Sequence, residues 1–355
     1  MKVLLACGGT GGHLYPGIAL AREFQRRDRD TDILFAGTER GIETMVLHRE
    51  GLRLALIRVE GLIGKGKINA IYSLFLLPCA FFDSLKILIR FRPDIVIGIG
   101  GYSSGPILLM ALFLRKNCII LEPNMIPGVT NRILAPLVKY VVTSFEDSKK
   151  YFIRANIVRI GNPVRREMVK EEETGENKIK TIFIFGGSQG AHSINMAVID
   201  ALSYLEDLKE RISFIHQTGK KDYEYIKEEY EKIGFNGRIE PYIYDMAEAY
   251  NMADIVISRA GATTIAEITA IGIPAILIPY PYATHDHQRK NAESLADAGA
   301  AIVIDDRELS GEVLSGVIRE LIDDNMRLKK MKENSRALGN IKAAEEIVEL
   351  CMKLI

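Results

Sequence analysis

Two glycine-rich segments occupy corresponding places in the two halves of this chain. Gly8-Gly9-Thr10-Gly11-Gly12 follows an apolar run in the first half, and Gly186-Gly187-Ser188-Gln189-Gly190 follows one in the second. A glycine-rich turn between a strand and a helix lets the backbone approach a phosphate group, which then lies at the positive N-terminus of the helix. A tight turn without a ligand would account for one such segment, but two at matching places favour phosphate binding.

Neither turn fits the other common nucleotide-binding motifs. A GxGxxG dinucleotide fingerprint would need glycine at Leu14, and the second predicted strand ends in Gly37-Thr38 and not in an acid that binds ribose. A P-loop would need the lysine of GxxxxGK[ST], which follows neither turn. We therefore expect neither a nicotinamide dehydrogenase nor a P-loop NTPase.

His13 directly follows the first turn. An imidazole at that position can accept a proton near neutral pH, as general-base catalysis requires. The alternative is a structural histidine that donates a hydrogen bond to a diphosphate or a loop carbonyl and only fixes geometry. Its place beside a predicted phosphate or acceptor site favours catalysis.

A second candidate cluster follows the predicted strand at 255–258. Gly261 permits a turn, and Thr263 and Thr264 can present hydroxyl and amide groups to an anion at a helix start. Glu267 has two interpretations. As the acidic partner of Thr264 in a capping box it would bond only a backbone amide, whereas in a binding site it would accept two hydrogen bonds from a ribose diol. The sequence leaves both roles open.

The segment His285-Asp286-His287 in the same region could suggest a metal site. Alternate residues of a strand point to opposite faces, and no cluster supplies a third ligand, so a metal is disfavoured. We expect a solvated loop from which Gln288 reaches a bound ligand.

Short apolar runs that end near glycine alternate with stretches of helical period, which is typical of a parallel sheet built from βαβ units. Each half is predicted to be a Rossmann-like, doubly wound α/β domain, with the two domains facing a cleft. A polar stretch after Gly161-Asn162-Pro163 indicates a linker, so the domains are predicted at 1–163 and 164–339, with a helix at about 340–355 that can pack back on the first. Strands are predicted at Val3–Ala6, Asp32–Ala36, Ile95–Ile99, Cys118–Leu121, Tyr140–Thr143, Thr181–Phe185, Ser213–Gln217, Ile255–Ser258, Ala275–Pro279 and Ala301–Ile304.

Composition supports a globular protein of this size. The 355 residues suffice for two domains, and 46 Lys and Arg balance 46 Asp and Glu, so no nucleic-acid partner is indicated. A hydrophobic share of 48% with 26% charged residues excludes a disordered chain and a polytopic membrane protein. The four cysteines are widely spaced and are predicted to be reduced thiols, and the short apolar N-terminus lacks a signal h-region, so we expect a cytoplasmic chain.

One apolar segment, at 69–90, lies close to several cations. It is either a buried helix with solvated ends or an interfacial membrane patch. Its uncharged core, at 74–82, has nine residues and contains Pro78, so it is too short to span a bilayer. The apolar residues are Ile71, Leu74, Phe75, Leu77, Phe81, Phe82, Leu85 and Leu88, and the cations are Lys65, Lys67, Lys86, Arg90 and Arg92.

Several blocks, in order across nearly the whole chain, together resemble the MurG family of bacterial N-acetylglucosaminyltransferases, which convert lipid I to lipid II in peptidoglycan synthesis. Each block alone is weak, but their combination is specific. The blocks are Gly8–His13 with Pro16-Gly17, Gly100–Pro106, Glu122-Pro123-Asn124, Gly161–Arg165, Gly186–Ala191, Gly261–Glu267 and His287-Gln288.

The resemblance implies a GT-B architecture. The C-terminal half would bind UDP-N-acetylglucosamine, and the N-terminal half would bind the lipid-linked acceptor and the membrane. By motif, the resemblance assigns the uridine and phosphates of the donor to Ile243, Ala262, Thr263 and Thr264. It assigns the ribose to Glu267, the sugar hydroxyls to Gln288, and the diphosphate to Arg165 and Ser188. The residues implied to close over the donor from the N-terminal half are Thr10, Gly11, Gly12 and Asn124.

The implied mechanism is inverting, because the C4 hydroxyl of the muramyl sugar attacks C1 of the donor sugar in one displacement. His13 would act as the base, with Glu122 as the next candidate. Helix N-termini and amides can stabilise the leaving diphosphate, so neither a metal nor a cofactor is implied.

The expected partners are UDP-N-acetylglucosamine, lipid I, an anionic membrane surface at the cytoplasmic face and other cell-wall synthesis proteins. Two other classes stay open. One is a different UDP-sugar transferase that acts on a lipid or a small aglycone. The other is a non-catalytic nucleotide-sugar binding subunit.

Overall fold

A computed structural model describes residues 1–8, 11–38, 43–59, 67–168 and 179–355, with backbone only for residues 67–75 and Thr284. Thr10 and Lys65 lie outside these residues. The chain divides into two compact units. The first comprises Met1–Arg165 and Lys342–Ile355, and the second comprises Arg166–Ile341.

The first unit is a parallel sheet covered by helices on both faces. Within the described residues the sheet has seven strands, in the order β3-β2-β1-β4-β5-β6-β7. The elements are β1 (Lys2–Cys7), α1 (Gly11–Arg27), β2 (Asp32–Gly37), α2 (Glu43–Arg49), β3 (Arg53–Leu56), α3 (Lys67–Phe91), β4 (Ile95–Gly100), α4 (Ser104–Phe113), β5 (Asn117–Glu122), α5 (Val129–Leu134), β6 (Tyr140–Thr143) and β7 (Ile157–Arg159).

The central strand β1 is apolar on both faces because helices cover both. Val3 pairs with Ile33 of β2 and with Ile95 of β4, both in parallel register. Val3 and Leu5 join the core under α1, whereas Leu4 and Ala6 join the opposite core with residues of α3 and α4. Burial on both faces explains why this strand reads as a continuous apolar run.

The second unit repeats this design with one strand fewer among its described residues, in the order β10-β9-β8-β11-β12-β13. Its elements are β8 (Lys180–Phe185), α6 (His192–Tyr204), β9 (Ile212–Gln217), α7 (Tyr223–Ile233), β10 (Gly237–Glu240), α8 (Met246–Met252), β11 (Ile255–Ser258), α9 (Ala262–Ile271), β12 (Ala275–Leu277), α10 (His287–Asp297), β13 (Ala301–Val303), α11 (Gly311–Asp323) and α12 (Asn325–Leu338).

The final helix, α13 (Ala343–Met352), belongs to the first unit, although it follows the second in the chain. Ile347 and Cys351 are fully buried in the core that also contains Leu14 of α1. Arg27 of α1 donates a hydrogen bond to the carbonyl of Glu345 at 3.0 Å. The helix therefore completes the first unit.

Two doubly wound domains were predicted, and this fold class is confirmed. All ten predicted strands are present, while β3, β7 and β10 were not predicted. Each of these three is an edge strand of three or four residues. No helix in the described part of the chain is both long enough and apolar enough to cross a membrane.

Both sheets have a switch point at which the direction of winding reverses. In the first unit it lies between β1 and β4, and in the second between β8 and β11. Loops at the carboxyl ends of the two strands diverge there and leave room for a ligand. The two glycine-rich turns follow β1 and β8, so each lies at a switch point.

Candidate functional site

The switch point of the first unit is formed by two glycine segments in close contact. Gly8 follows β1, Gly100 ends β4, and Gly101 follows it. A Cβ on Gly101, whose φ is +79°, would lie 2.2 Å from the Gly8 carbonyl oxygen. Gly11 and Gly12 lie in the first turn of α1. The backbones of Gly8 and Gly101 therefore touch directly, with no room for a side chain between them.

His13 is the third residue of α1, and its half-buried imidazole packs against Gly100. A Cβ on Gly100 would lie 2.8 Å from His13 Cδ2 and 2.9 Å from Nε2. The imidazole therefore occupies the space that a side chain at Gly100 would fill. The structure places His13 beside the switch point of the first unit.

Two buried polar side chains lie next to Gly8, where β1 ends. A Cβ on Gly8 would lie 2.4 Å from Ser103 Oγ and 2.9 Å from Glu43 Oε1. Glu43 and Ser103 are both fully buried. Burial and the nearby Glu43 carboxylate raise the pKa of the Cys7 thiol, so Cys7 is not a nucleophile at neutral pH.

Glu122 organises the loop that carries Asn124. Its Oε1 accepts hydrogen bonds from the Asn124 backbone N–H at 3.0 Å and from Asn124 Nδ2 at 3.3 Å. Its Oε2 accepts from the Gly128 N–H at 3.0 Å and from Asn131 Nδ2 at 2.8 Å. Burial raises the pKa of the Glu122 carboxyl, although these four donors act in the opposite direction. Both oxygens face the loop, which argues for a structural role.

In the second unit the glycine turn after β8 packs directly on the loop after β9. Gly187 and Gly190 have φ values of +94° and +74°, and a Cβ on Gly190 would lie 1.9 Å from the Thr218 carbonyl oxygen. Ser188 is exposed at the tip of the turn. Helix α6, thirteen residues long, begins just after it. A helix that starts directly after a glycine turn is a suitable site for a phosphate.

Arg259 fixes the loop between β11 and α9. Its Nη1 donates to the Ile278 carbonyl at 3.1 Å and to Asp306 Oδ1 at 2.5 Å, and its Nη2 donates to Ser193 Oγ at 2.9 Å. The guanidinium also lies 5.6 Å from the ring centroid of Tyr280. These contacts connect the loop with the start of α6 and the end of β12.

The capping-box interpretation of Glu267 is wrong. Helix α9 begins at Ala262 with Gly261 as its N-cap residue, so Thr264 is the third helical residue and cannot cap the helix. Gly261 has no side chain, so no side-chain hydrogen bond caps this end of the helix. An uncapped helix start is a suitable binding site for a phosphate.

Glu267 lies one turn further along α9 and is 8% exposed. The hydroxyl of Tyr250 donates to its Oε2 at 3.0 Å. The ring of Tyr250 packs edge-on against Phe183 and Phe185 of β8, with centroid distances of 5.2 and 5.7 Å. The sheet thus orients the Glu267 carboxylate through a buried tyrosine.

Gln288 was expected in a solvated loop, and this expectation is wrong. It lies in the first turn of α10, which begins at His287. Its Oε1 accepts a hydrogen bond from the Tyr280 N–H at 3.0 Å. The NH₂ group of the same amide therefore points away from the Tyr280 N–H. Two left-handed residues, His285 and Asp286, make the turn into the helix. No cluster of three or more metal-binding side chains occurs among the described residues.

Ile243 is buried in the segment between β10 and α8, and its N–H donates to Gln217 Oε1 at 2.8 Å. Arg165 belongs to the first unit, where its guanidinium lies 5.1 Å from the ring centroid of Tyr15. The predicted residues thus form two sets, each following the carboxyl ends of strands in one unit, and only some of them border a switch point. The first set is Gly11, Gly12, His13 and Asn124, and the second is Ser188, Ile243, Ala262, Thr263, Thr264, Glu267 and Gln288.

The apolar helix α3 has one face in the core and one in solvent. Leu88 is 1% exposed, whereas Phe82 is 64% and Ile89 is 54% exposed. Ile71, Leu74 and Phe75 lie where side chains are not described.

Sequence reasoning assigned no role to four residues that support these sites: Glu43, Ser103, Gln217 and Tyr250. Ser103 lies within the Gly100–Pro106 block of the family resemblance. Gln217 carries a usable signal, because it ends a predicted strand and precedes Gly219 by two residues. Polar residues at the carboxyl ends of parallel strands commonly face the ligand edge. Glu43 and Tyr250 lie in helices, and nothing in their local sequence distinguishes them.

Two Rossmann-like domains, each with a glycine-rich segment after its first strand, make up the GT-B architecture that many glycosyltransferases share. Residues 3–143 match the glycosyltransferase family 28 N-terminal domain, and residues 181–350 match the glycosyltransferase family 28 C-terminal domain. The chain belongs to glycosyltransferase family 28.

Similar proteins cover the whole chain. A UDP-N-acetylglucosamine--N-acetylmuramyl-(pentapeptide) pyrophosphoryl-undecaprenol N-acetylglucosamine transferase of Syntrophus aciditrophicus (strain SB) is 47% identical, over 100% of this chain and 99% of its own. The protein of the same name from Geobacter sulfurreducens is 45% identical, over 98% and 97%. The crystal structure of Acinetobacter baumannii MurG superposes with a TM-score of 0.78 at 29% identity, over 99% and 100%.

Proposed function

We propose that this chain transfers N-acetylglucosamine from UDP-N-acetylglucosamine to the C4 hydroxyl of the muramyl sugar of undecaprenyl-linked lipid I, giving lipid II. The activity is the one named for its relatives from Syntrophus and Geobacter. The observation that carries the proposal is the edge of the second sheet, where the turn at 186–190, the uncapped start of α9 and Glu267 lie together.

The donor fits this edge group by group. The diphosphate lies against the Ser188 turn and the first amides of α9, both of which present N–H groups to an anion. Glu267, oriented by Tyr250, accepts hydrogen bonds from the ribose diol. Gln288 has its Oε1 engaged by a backbone N–H, so its NH₂ group donates to a sugar hydroxyl.

Uracil recognition depends on the carbonyl of Ile243. The Ile243 N–H is already engaged by Gln217 Oε1, so the carbonyl oxygen is the polar group that this residue offers. It accepts the N3–H of the base. The roles of Thr10, Gly11, Gly12, Asn124 and Arg165 toward the donor remain predictions from the family resemblance.

His13 acts as the general base. It removes the proton of the C4 hydroxyl while that oxygen attacks C1 of the donor sugar, the bond from C1 to the diphosphate oxygen breaks, and UDP leaves with the electron pair. The helix N-terminus and turn amides stabilise the charge on the leaving group. Inversion at C1 gives a β-1,4 linkage.

Peripheral membrane association of the first unit brings the enzyme to its lipid acceptor, at the cytoplasmic face. Helix α4 packs against both α3 and α5. The three helices carry large exposed apolar side chains next to exposed cations, which is the composition of an interfacial surface. We define this membrane surface by Phe82, Ile89, Arg90, Leu109, Phe113, Arg115, Arg132 and Ile133.

The proposal is tested by incubating the purified protein with radiolabelled UDP-N-acetylglucosamine and a panel of acceptors. Lipid I should become labelled, whereas diacylglycerol and small aglycones should not. Labelling of another lipid or aglycone would indicate a different UDP-sugar transferase. Donor binding without transfer to any acceptor would indicate a binding subunit.

A further inference from the structure

Gln217, the last residue of β9, connects two loops of the second unit. It is 3% exposed. Its Nε2 donates to the Gly187 carbonyl at 2.9 Å, and its Oε1 accepts from the Ile243 N–H at 2.8 Å. Gly187 precedes Ser188 in the turn after β8, and Ile243 lies between β10 and α8. One planar amide therefore joins the candidate phosphate-binding turn to the candidate uracil-binding segment.

The surrounding backbone leaves this amide little freedom. The loop after Gln217 packs against the same turn without intervening side chains, since a Cβ on Gly219 would lie 2.0 Å from the Gln189 carbonyl oxygen. The Thr218 N–H donates to the Glu240 carbonyl at 3.0 Å. A shift of either loop would break a hydrogen bond of a buried amide, which is costly.

We propose that Gln217 is a positioning residue that sets the separation between the phosphate-binding and uracil-binding parts of the donor site. This inference rests on the proposed function. UDP joins its base and diphosphate covalently, so it benefits from both contacts only when their spacing in the protein matches its own. Gln217 acts through the Gly187 carbonyl and the Ile243 amide and makes no contact with substrate.

Two variants test this role. Gln217→Met removes both hydrogen bonds with little change in shape. Gln217→Glu keeps an acceptor for the Ile243 N–H but places a carboxylate oxygen against the Gly187 carbonyl. Calorimetry with UDP, with uridine and with inorganic pyrophosphate should show a loss of about 10- to 100-fold in UDP affinity, with the affinities for the two fragments nearly unchanged. KM for UDP-N-acetylglucosamine should rise, while kcat changes little.

Ser213→Ala is the matched control on the same strand. Ser213 Oγ lies 3.1 Å from Thr181 Oγ1, at the opposite end of β9 from Gln217. This variant should lower thermal stability without weakening UDP binding. If Gln217→Met does not fold, the affinities of Gln217→Glu for UDP, uridine and pyrophosphate, relative to those of the wild type, test the proposal instead.

Two results would overturn the role of Gln217. Variants that bind UDP as the wild type does would show that the spacing does not depend on this amide. An equal loss of uridine affinity would show that Gln217 acts on Ile243 alone. Wild-type protein that binds no UDP would instead overturn the proposed function, and this inference with it.

Discussion

The imidazole of His13 depends on the absence of a side chain at Gly100. His13→Ala should lower kcat by about 10² to 10⁴ and remove the acidic limb of the pH–rate profile, with UDP affinity nearly unchanged. Gly100→Ala should also lower kcat, because its Cβ would occupy the space of the imidazole. Transfer rates with calorimetry of UDP binding measure both effects.

Gly128→Ala is the control for Gly100→Ala. A Cβ on Gly128 would meet no described atom within 4 Å, and its φ of −60° suits alanine. This variant should keep wild-type activity. A His13 variant that retains the acidic limb, or that loses donor affinity in step with rate, would assign the base elsewhere.

Glu267 and Tyr250 should act as a pair in ribose recognition. Glu267→Ala should weaken UDP binding by about 1.5–3 kcal/mol, as expected for a lost hydrogen bond to a charged group. Tyr250→Phe should have a smaller effect, because it only removes the hydroxyl that orients the carboxylate. Calorimetry measures both, with Glu231→Ala, at a 69% exposed carboxylate, as the control. A Glu267→Ala protein with lower stability but wild-type UDP affinity would show a purely structural role.

His216 should make the second unit less stable in acid. Its Nε2 lies 3.1 Å from the side-chain oxygen of Asn195. The amide nitrogen of Asn195 donates to Thr218 and Asp222, which fixes this oxygen as the acceptor. The proton of the neutral imidazole is therefore on Nε2. Its Nδ1 accepts from Tyr230. Burial lowers the pKa of His216 to about 3. The unfolded chain, with an ordinary pKa near 6.5, binds this proton more readily.

The contribution of neutral His216 to the unfolding free energy is fully present above pH 6.5 and is lost as the pH falls toward 3. At pH 5 the loss amounts to about 2 kcal/mol. Urea unfolding at pH 7.5 and pH 5 should show this decrease for the wild type and a smaller one for His216→Gln. Equal decreases in the two proteins would assign the acid sensitivity to other groups.

Among the structural elements, the loop at 123–128 depends on one carboxylate. Glu122→Gln replaces an acceptor with an NH₂ group, which must face one of the N–H donors of Asn124, Gly128 or Asn131. We expect a loss of about 1–3 kcal/mol in unfolding free energy and faster amide hydrogen exchange at Asn124 and Gly128. Glu146→Gln, at a 58% exposed carboxylate of the same unit, should change neither. Unchanged exchange in Glu122→Gln would mean that the loop is held by other contacts.

The missed strands show what hydrophobic patterning can detect. Strand β10, Gly-Arg-Ile-Glu, pairs with a single neighbour and contains no fully buried side chain. The central strands are buried on both faces and therefore read as apolar runs. An edge strand is assigned by its hydrogen bonds to the next strand, which the local sequence does not encode.

For the molecule as a whole, membrane binding should depend on exposed side chains of the first unit. Phe113 is 76% and Ile133 is 68% exposed, so replacing both with Ser should leave the melting temperature unchanged and reduce flotation with anionic vesicles. Met326→Ser, at a 79% exposed residue of the second unit, is the control. Undiminished flotation of the double variant would place the membrane contact elsewhere.

Local sequence was sufficient for the ten predicted strands, nine of which are interior, and for the glycine turn after β8. These features follow from apolar runs, from glycine where backbones touch and from chain proximity, all of which act over a few residues. The family resemblance, which depends on motif order, supplied Asn124, Arg165, Ile243 and Ala262.

Tertiary structure decided which side chains support the site. Tyr250 meets Glu267, and Gln217 meets both Gly187 and Ile243, across distances of up to thirty residues in the chain. It also removed the capping role of Glu267 and placed Gln288 on a helix. Helix α13 joins the first unit because its buried face matches the core beside Leu14, far earlier in the chain. Such contacts depend on strand order and packing, which no local pattern specifies.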